Sequence, residues 1–176
     1  EWHYFCRRVA RFGYITGLRS RVDQLRTDQT SRIDNLLEEA NNLIDEIVDL
    51  NSKITKQEHN GQETSEAGGL RTRRYNALNR LSEIIPIQFA ERSNGDVDVY
   101  SGSDYVVLSG QRQHLELTPL TDRGLDIETV RFDVTRSPLT QSGGEIRGVI
   151  EGRDDILGGF VDDLDELAGG LISAFN

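Results

Sequence analysis

The stretch from Ile33 to Gln57, IDNLLEEANNLIDEIVDLNSKITKQ, decides how the rest of this chain is read. Its apolar positions Ile33, Leu36, Ala40, Leu43, Ile47, Leu50 and Ile54 alternate in steps of three and four. That is a heptad, with Ile33, Ala40, Ile47 and Ile54 at a and Leu36, Leu43 and Leu50 at d. Leu37 and Ile44 widen the seam onto the e positions, which suits a bundle with a third helix better than a two-stranded coil. Glu38, Glu39, Asp45, Glu46 and Asp49 occupy the remaining faces. The pattern predicts a long amphipathic helix that needs helical partners.

Upstream, the stripe continues through Ile15, Leu18, Val22, Leu25 and Gln29, and the four-residue step to Ile33 changes its phase. A helix from Ile15 to Glu58 would measure about 65 Å at 1.5 Å per residue. Before it, Trp2, Phe5, Val9 and Phe12 sit at helical spacing with Arg7, Arg8 and Arg11 on the other face. Glu1 to Arg21 holds five arginines and one glutamate, about +4. This basic amphipathic segment is expected to pack on the acidic remainder of the chain, although such helices also bind membrane surfaces. Gly13 and Gly17 weaken the helix by about 1 kcal/mol each relative to alanine.

Downstream, His59-Asn60-Gly61 reads as the helix stop and Gln62 to Gly69 as a polar loop. A second helix carries Leu70, Arg74, Ala77, Leu78, Leu81, Ile84 and Ile85 and ends before Pro86. Its Arg71, Arg73, Arg74 and Arg80 oppose the carboxylates of the long helix, which favours an antiparallel hairpin. The period then changes to two. Ile87, Phe89, Val97 and Val99 flank Asn94-Gly95, a hairpin dipeptide whose two residues are expected at positive φ. Tyr105 to Leu108, Leu115 to Leu117 and Val130 to Val134 read as further strands, Ser101-Gly102-Ser103 as a turn and Thr118 to Asp126 as a loop. Together these predict one antiparallel sheet of about five strands.

The last element opens with Ser142-Gly143-Gly144-Glu145, a capping-box pattern. A second heptad follows, with Ile150, Leu157, Leu164 and Leu171 at a and Ile146, Arg153, Phe160, Leu167 and Ala174 at d. Gly148, Gly152, Gly158, Gly159, Gly169 and Gly170 fall off that seam, and the flat outer face they leave is expected to let the backbone of a neighbouring subunit approach. The expected fold is therefore mainly α with a small β part. The long helix and the hairpin occupy 1–85, a small antiparallel β subdomain is inserted at 86–140, and a C-terminal helix over 141–176 packs back to complete an elongated three-helix bundle.

Composition narrows the function. The chain has 176 residues, a net charge of −10 and 36% hydrophobic residues, with a mean hydropathy of −0.51. This is one domain, or one domain with a small appendage, and its acidity excludes nucleic acid as a partner. No window approaches the roughly 18 apolar residues of a membrane span, so no membrane insertion is expected. The chain starts at Glu1 and lacks methionine, so a fragment or a processed product is expected.

No catalytic, cofactor-binding or metal-binding residue is assigned. His3, His59 and His114 are scattered and none is at metal-ligand spacing. Cys6 rules out an intrachain disulfide and reads as a packed thiol. Asp154-Asp155 and Asp162, Asp163, Asp165 and Glu166 lack the calcium-loop pattern and read as a solvated helix face. Ser142-Gly143-Gly144 has no phosphate-loop lysine and reads as a cap. Arg153, the one charge in a d seam, is expected to pair with Glu46 or Asp49.

The ordered set Leu50-Asn51-Ser52-Lys53-Ile54, Leu70-Arg71-Thr72-Arg73-Arg74, Leu78-Asn79-Arg80-Leu81-Ser82-Glu83-Ile84-Ile85, Asn94-Gly95-Asp96-Val97-Asp98-Val99-Tyr100, Val107-Leu108-Ser109-Gly110, Gly143 to Asp154 and Leu167 to Asn176 resembles the bacterial flagellar hook-associated protein 1 family, the hook–filament junction proteins. The resemblance covers roughly Val22 to Asn176. Thr72 and Tyr75 stand where the family has acidic residues, and Glu1 to Tyr14 departs from it.

The resemblance implies a middle fragment of a structural subunit. It would be exported by the flagellar secretion system to the extracellular flagellum and self-assemble into a ring between hook protein and the second hook–filament junction protein. An export chaperone would act through segments absent here. The alternative is a coiled-coil scaffold or binding module outside the flagellum. An enzyme built on an aspartate pair is a distant third.

Overall fold

A computed structural model describes residues 2–58, 65–122, 125–139 and 143–174, with side chains over 13–57, 67–119, 128–139 and 143–173. The side chains of His3, Cys6, His59, Asn60, Ser142 and Ala174 lie outside the described residues, as does the Gly61 backbone. The protein is mainly α with a small antiparallel β part. Its order is α1 (Trp2–Glu58), α2 (Ser65–Ile84), β1 (Gln88–Glu91), β2 (Val97–Ser101), β3 (Asp104–Leu108), β4 (Gln111–Arg112), β5 (Leu115–Asp122), β6 (Leu125–Phe132), α3 (Gly144–Glu151), a π-helical turn (Gly152–Ile156) and α4 (Leu157–Ala174). These form two compact units, one of Asp34–Arg147 and the other of Glu1–Ile33 with Gly148–Asn176.

The larger unit is built on the stretch that decided the reading. Leu36, Leu37, Ala40, Ile47, Leu50 and Ile54 are buried. Ile44 at e is wholly buried, whereas Leu43 at d is only half-buried. The helix must cover α2 and strands together, so its buried arc is wider than an a/d seam and is centred towards e. Helix α2 is antiparallel to it. Arg73 meets Glu46 at 2.6 Å and Arg80, one heptad on, meets Glu39, one heptad back, at 2.6 Å. Helix α2 starts at Ser65, earlier than the polar loop predicted to run to Gly69, because Ala67 is buried and anchors an extra turn. Ile84 is its last residue, and Pro86 follows as expected.

The strands form two sheets rather than one, a four-stranded sheet β1-β2-β3-β4 and a ribbon β5-β6. Gln113 divides them. Its side-chain amide donates to the Tyr105 carbonyl at 2.7 Å and its side-chain oxygen accepts from the Thr135 N–H at 2.9 Å. The β1–β2 connection has only Gly95 at positive φ (86°), with the Gly95 N–H donating to the Arg92 carbonyl at 3.0 Å. That is a type I turn closed by a glycine bulge. The turn with two positive φ values lies at Ser109 (52°) and Gly110 (78°), between β3 and β4. The segment Thr118 to Asp126 is strand rather than loop, apart from 123–124, which lie outside the described residues. Pro119 pairs with Glu128 in this ribbon, where a proline can turn its missing N–H to the free edge. Val134 falls in the turn after β6, which ends at Phe132.

The smaller unit contains the first half of α1 and the C-terminal helices. Gly13 and Gly17 do not interrupt α1. Arg153, a predicted d position, is buried, but so is Val149, off the predicted seam, while the predicted a residue Ile150 is half-buried. The π turn then adds a residue, about 100° of phase. The predicted a positions Leu157, Leu164 and Leu171 stay half-buried, but Val161 and Ala168 join them in place of the predicted d residues Phe160 and Leu167, which are 56% and 52% exposed.

Candidate interaction surfaces

The larger unit is locked by side chains that imitate backbone. Asn41 Nδ2 donates to the Leu115 carbonyl at 2.9 Å and its Oδ1 accepts from the Leu115 N–H at 2.8 Å. Asn51 does the same to Val97, at 2.9 Å and 3.1 Å. One helix thereby satisfies backbone groups in both sheets, and a buried peptide group left unpaired would be costly. The Arg74 guanidinium is fully buried beneath Asn51. Its Nη1 donates to Asn51 Oδ1 at 2.9 Å and to the Gly95 carbonyl at 2.6 Å, and its Nη2 reaches Glu91 at 2.9 Å. Sequence reasoning placed Arg74 in the α2 stripe as a surface charge and gave neither Asn41 nor Asn51 a structural role. The usable signal was a polar residue recurring inside an apolar stripe.

Arg80 joins three helices. Its Nε and Nη2 grip Glu39 of α1 at 2.6 Å and 2.9 Å, and its Nη1 reaches Glu83 at 2.8 Å and Glu145 of α3 at 2.6 Å. The hydrogen bond it donates to Glu39, then those to Glu145 and Glu83, raise its pKa. Glu39 is lowered in turn by its hydrogen bond from Arg80. A lowered carboxylate contributes stability above its ordinary value of 4.5 that is lost as pH falls through the folded-state value. Glu39→Gln should therefore flatten the acid limb of a thermal-stability profile below about pH 4.5, by about half a kcal/mol for so exposed a pair. An unchanged acid limb would count against it. Glu116 is lowered likewise, first by its hydrogen bond from Arg131.

His3, Cys6 and His59 have side chains outside the described residues, while His114, Asp154 and Asp165 are engaged separately. His114 Nε2 lies 2.8 Å from Asp45, which also binds Arg112 at 2.7 Å. Among the described residues no group of three metal-ligating side chains forms. Asp154 pairs with Arg153 at 2.8 Å, and Asp165 pairs with Arg19. Arg153 does not reach Glu46 or Asp49. Its Nη1 donates to Thr30 Oγ1 at 3.3 Å. Glu46 is roughly four turns further along α1 and is taken by Arg73. The Glu145 carboxylate expected in a capping box is engaged by Arg80.

Among the described residues the exposed large apolar side chains include two groupings. Tyr75 and Phe89 meet edge to face with centroids 6.2 Å apart at 78°. On the C-terminal helix, Ile156 is 62% exposed and lies in line with Phe160 and Leu167. Nothing lies within 4 Å of a side chain built at Gly158, Gly159, Gly169 or Gly170. No described helix is long and apolar enough to cross a membrane.

The family model described as the flagellar hook-associated protein FlgK helical domain matches residues 11–176. Comparison with curated sequences finds no match. Among solved structures, the flagellar hook junction protein FlgK from Burkholderia pseudomallei is similar at 19% identity and a TM-score of 0.62, covering 80% of this chain and 26% of that one. At that identity the structural likeness speaks to the fold.

Proposed function

The chain belongs to the family of the FlgK helical domain, and from that premise we propose that it is a structural building block of the bacterial flagellum, an adapter where the hook meets the filament. The observation that carries this reading is the family match over residues 11–176. The way the chain uses its charges supports it. Arg74, Arg80, Asn41 and Asn51 are spent on joining helix to helix and helix to sheet. Such multiply bonded contacts, charge-assisted where Arg74 and Arg80 meet carboxylates, hold one geometry, which an adapter under load requires.

In this reading the full-length protein is exported, assembles with copies of itself into a ring, and contacts hook protein on one side and the second junction protein on the other. An export chaperone would bind segments outside this chain. The work is packing rather than chemistry. Deleting the gene should leave hooks intact, abolish filaments and release filament protein into the medium. Normal filaments and motility in the deletion strain would overturn the adapter and favour a scaffold outside the flagellum.

A further inference from the structure

We propose that Asn94 is a deamidation site, held shut in the folded chain by Asp96 and by the buried Arg74 clamp. The dipeptide Asn94-Gly95 carries the chemistry, because Gly95 has no Cβ to shield its backbone nitrogen. In an open chain that nitrogen gives its proton to base and attacks the Asn94 side-chain carbon Cγ. A bond forms between Gly95 N and Asn94 Cγ, the Cγ–Nδ2 bond breaks, and Nδ2 takes up a proton and leaves as ammonia. Water then opens the five-membered imide. Opening at Cγ leaves aspartate, whereas opening at the Asn94 main-chain carbonyl leaves isoaspartate, whose main chain runs through the side-chain methylene. Water is the one co-reactant, and nothing is oxidised or reduced. An isoaspartate would lengthen the connection between Glu91 and Val97, which pair across the turn. The reaction therefore also destroys the register on which the clamp depends.

The geometry opposes each step of the attack. Asn94 is exposed but Gly95 is buried, so water meets the amide while the attacking nitrogen is covered. The Gly95 N–H is already donated to the Arg92 carbonyl at 3.0 Å. Asp96 holds both ends of the Asn94 amide. Nδ2 donates to the Asp96 carboxylate at 2.8 Å, and Oδ1 accepts from the Asp96 N–H at 3.2 Å. Thr55 of α1 fixes Asp96 in turn, donating to its Oδ1 at 2.7 Å. A type I turn puts its third residue, here Asn94, at ψ of about 0°, which sets the next nitrogen against the backbone nitrogen rather than against Cβ. Ring closure needs the Asn94–Gly95 peptide to swing about the Asn94 Cα–C bond. Arg74, from its fully buried site, donates to the Gly95 carbonyl at 2.6 Å. Gly95 cannot follow that swing without breaking a charge-assisted hydrogen bond.

The test incubates the purified chain in mildly alkaline buffer and follows the tryptic peptide Ser93–Arg112 by mass and by isoaspartyl methyltransferase labelling. A synthetic peptide of the same residues is the open-chain reference. Asn94 should convert roughly tenfold more slowly in the chain than in the peptide, or slower still, since only the open fraction of the turn reacts. Equal rates would overturn the closed site. Asn94→Asp should abolish the mass change in this peptide, and a change that persists would place the reaction at another residue. Arg74→Lys tests the clamp, with Gly144→Ala, which crowds the end of α2 instead, as the control for lost stability. With both variants brought by urea to the same small fraction unfolded, Arg74→Lys should still convert about fivefold faster. Equal rates there would assign the protection to global stability and overturn the clamp. Asp96→Ala, at a half-exposed site, serves where Arg74→Lys does not fold. It should narrow the gap between the chain and a peptide bearing the same change by about threefold, and an unchanged gap would refute the hold on the Asn94 amide.

Discussion

Replacing Gly144 by alanine should destabilise the larger unit by about 3 kcal/mol, enough to show as a clear shift in a urea unfolding curve. Two independent effects add. Gly144 opens α3 at φ 79°, in the left-handed region where a side chain is strained. A methyl group there would also lie 2.9 Å from the Ile84 carbonyl carbon and 3.0 Å from Ile85 Cα. Both are backbone atoms at the end of α2 and cannot swing aside as a flexible side chain would. The double glycine read as a helix cap is thus, in the fold, the place where α3 passes the end of α2. Gly148→Ala, in the same helix with nothing within 4 Å, serves as the control and should stabilise by about 1 kcal/mol. Equal outcomes for the two variants would refute the close approach.

Arg74→Ala is expected to have the other large effect, a loss of about 3–5 kcal/mol. The substitution empties a fully buried site and strips a donor from Asn51, from the Gly95 carbonyl and from Glu91. Glu91 is a third exposed and can recover water. The buried Gly95 carbonyl is the costly orphan, whereas Asn51 Oδ1 keeps the Val97 N–H. Arg74→Lys should recover only part of the loss, because an ammonium cannot fork between the strand turn and the helix. Hydrogen exchange at Val97, whose N–H rests on Asn51, should rise in both variants. Protection at Val97 equal to that of the unaltered chain would show that Arg74 does not hold the turn in place.

Period and charge were legible along the chain because they are local. The 3-4 spacing from Ile33 to Ile54 and the break at Pro86 each depend on a few neighbouring residues, and the structure has both. The arginine-to-carboxylate match of the hairpin was legible too, since opposite-sign faces permit one orientation. The turn type at Asn94-Gly95 was not, because the number of residues in a hairpin loop depends on which strand positions pair. That register came from Glu91 opposite Val97. Thr118-Pro119 looked like a loop because proline disfavours central strands, a rule that a two-stranded ribbon escapes.

What the sequence by itself determined is therefore the inventory: a long heptad helix, an opposite-sign partner, a β insertion and a C-terminal amphipathic helix, with the motif order of a flagellar junction family. Tertiary structure alone decided the phase of α4 beyond the π turn, the division of the strands at Gln113, and the conversion of Arg74 from a surface charge into a buried clamp. The reason is physical. A helix period is set by bonds four residues apart, whereas a buried polar group is tolerable only once Asn51, Gly95 and Glu91, distant in the chain, are brought to meet it.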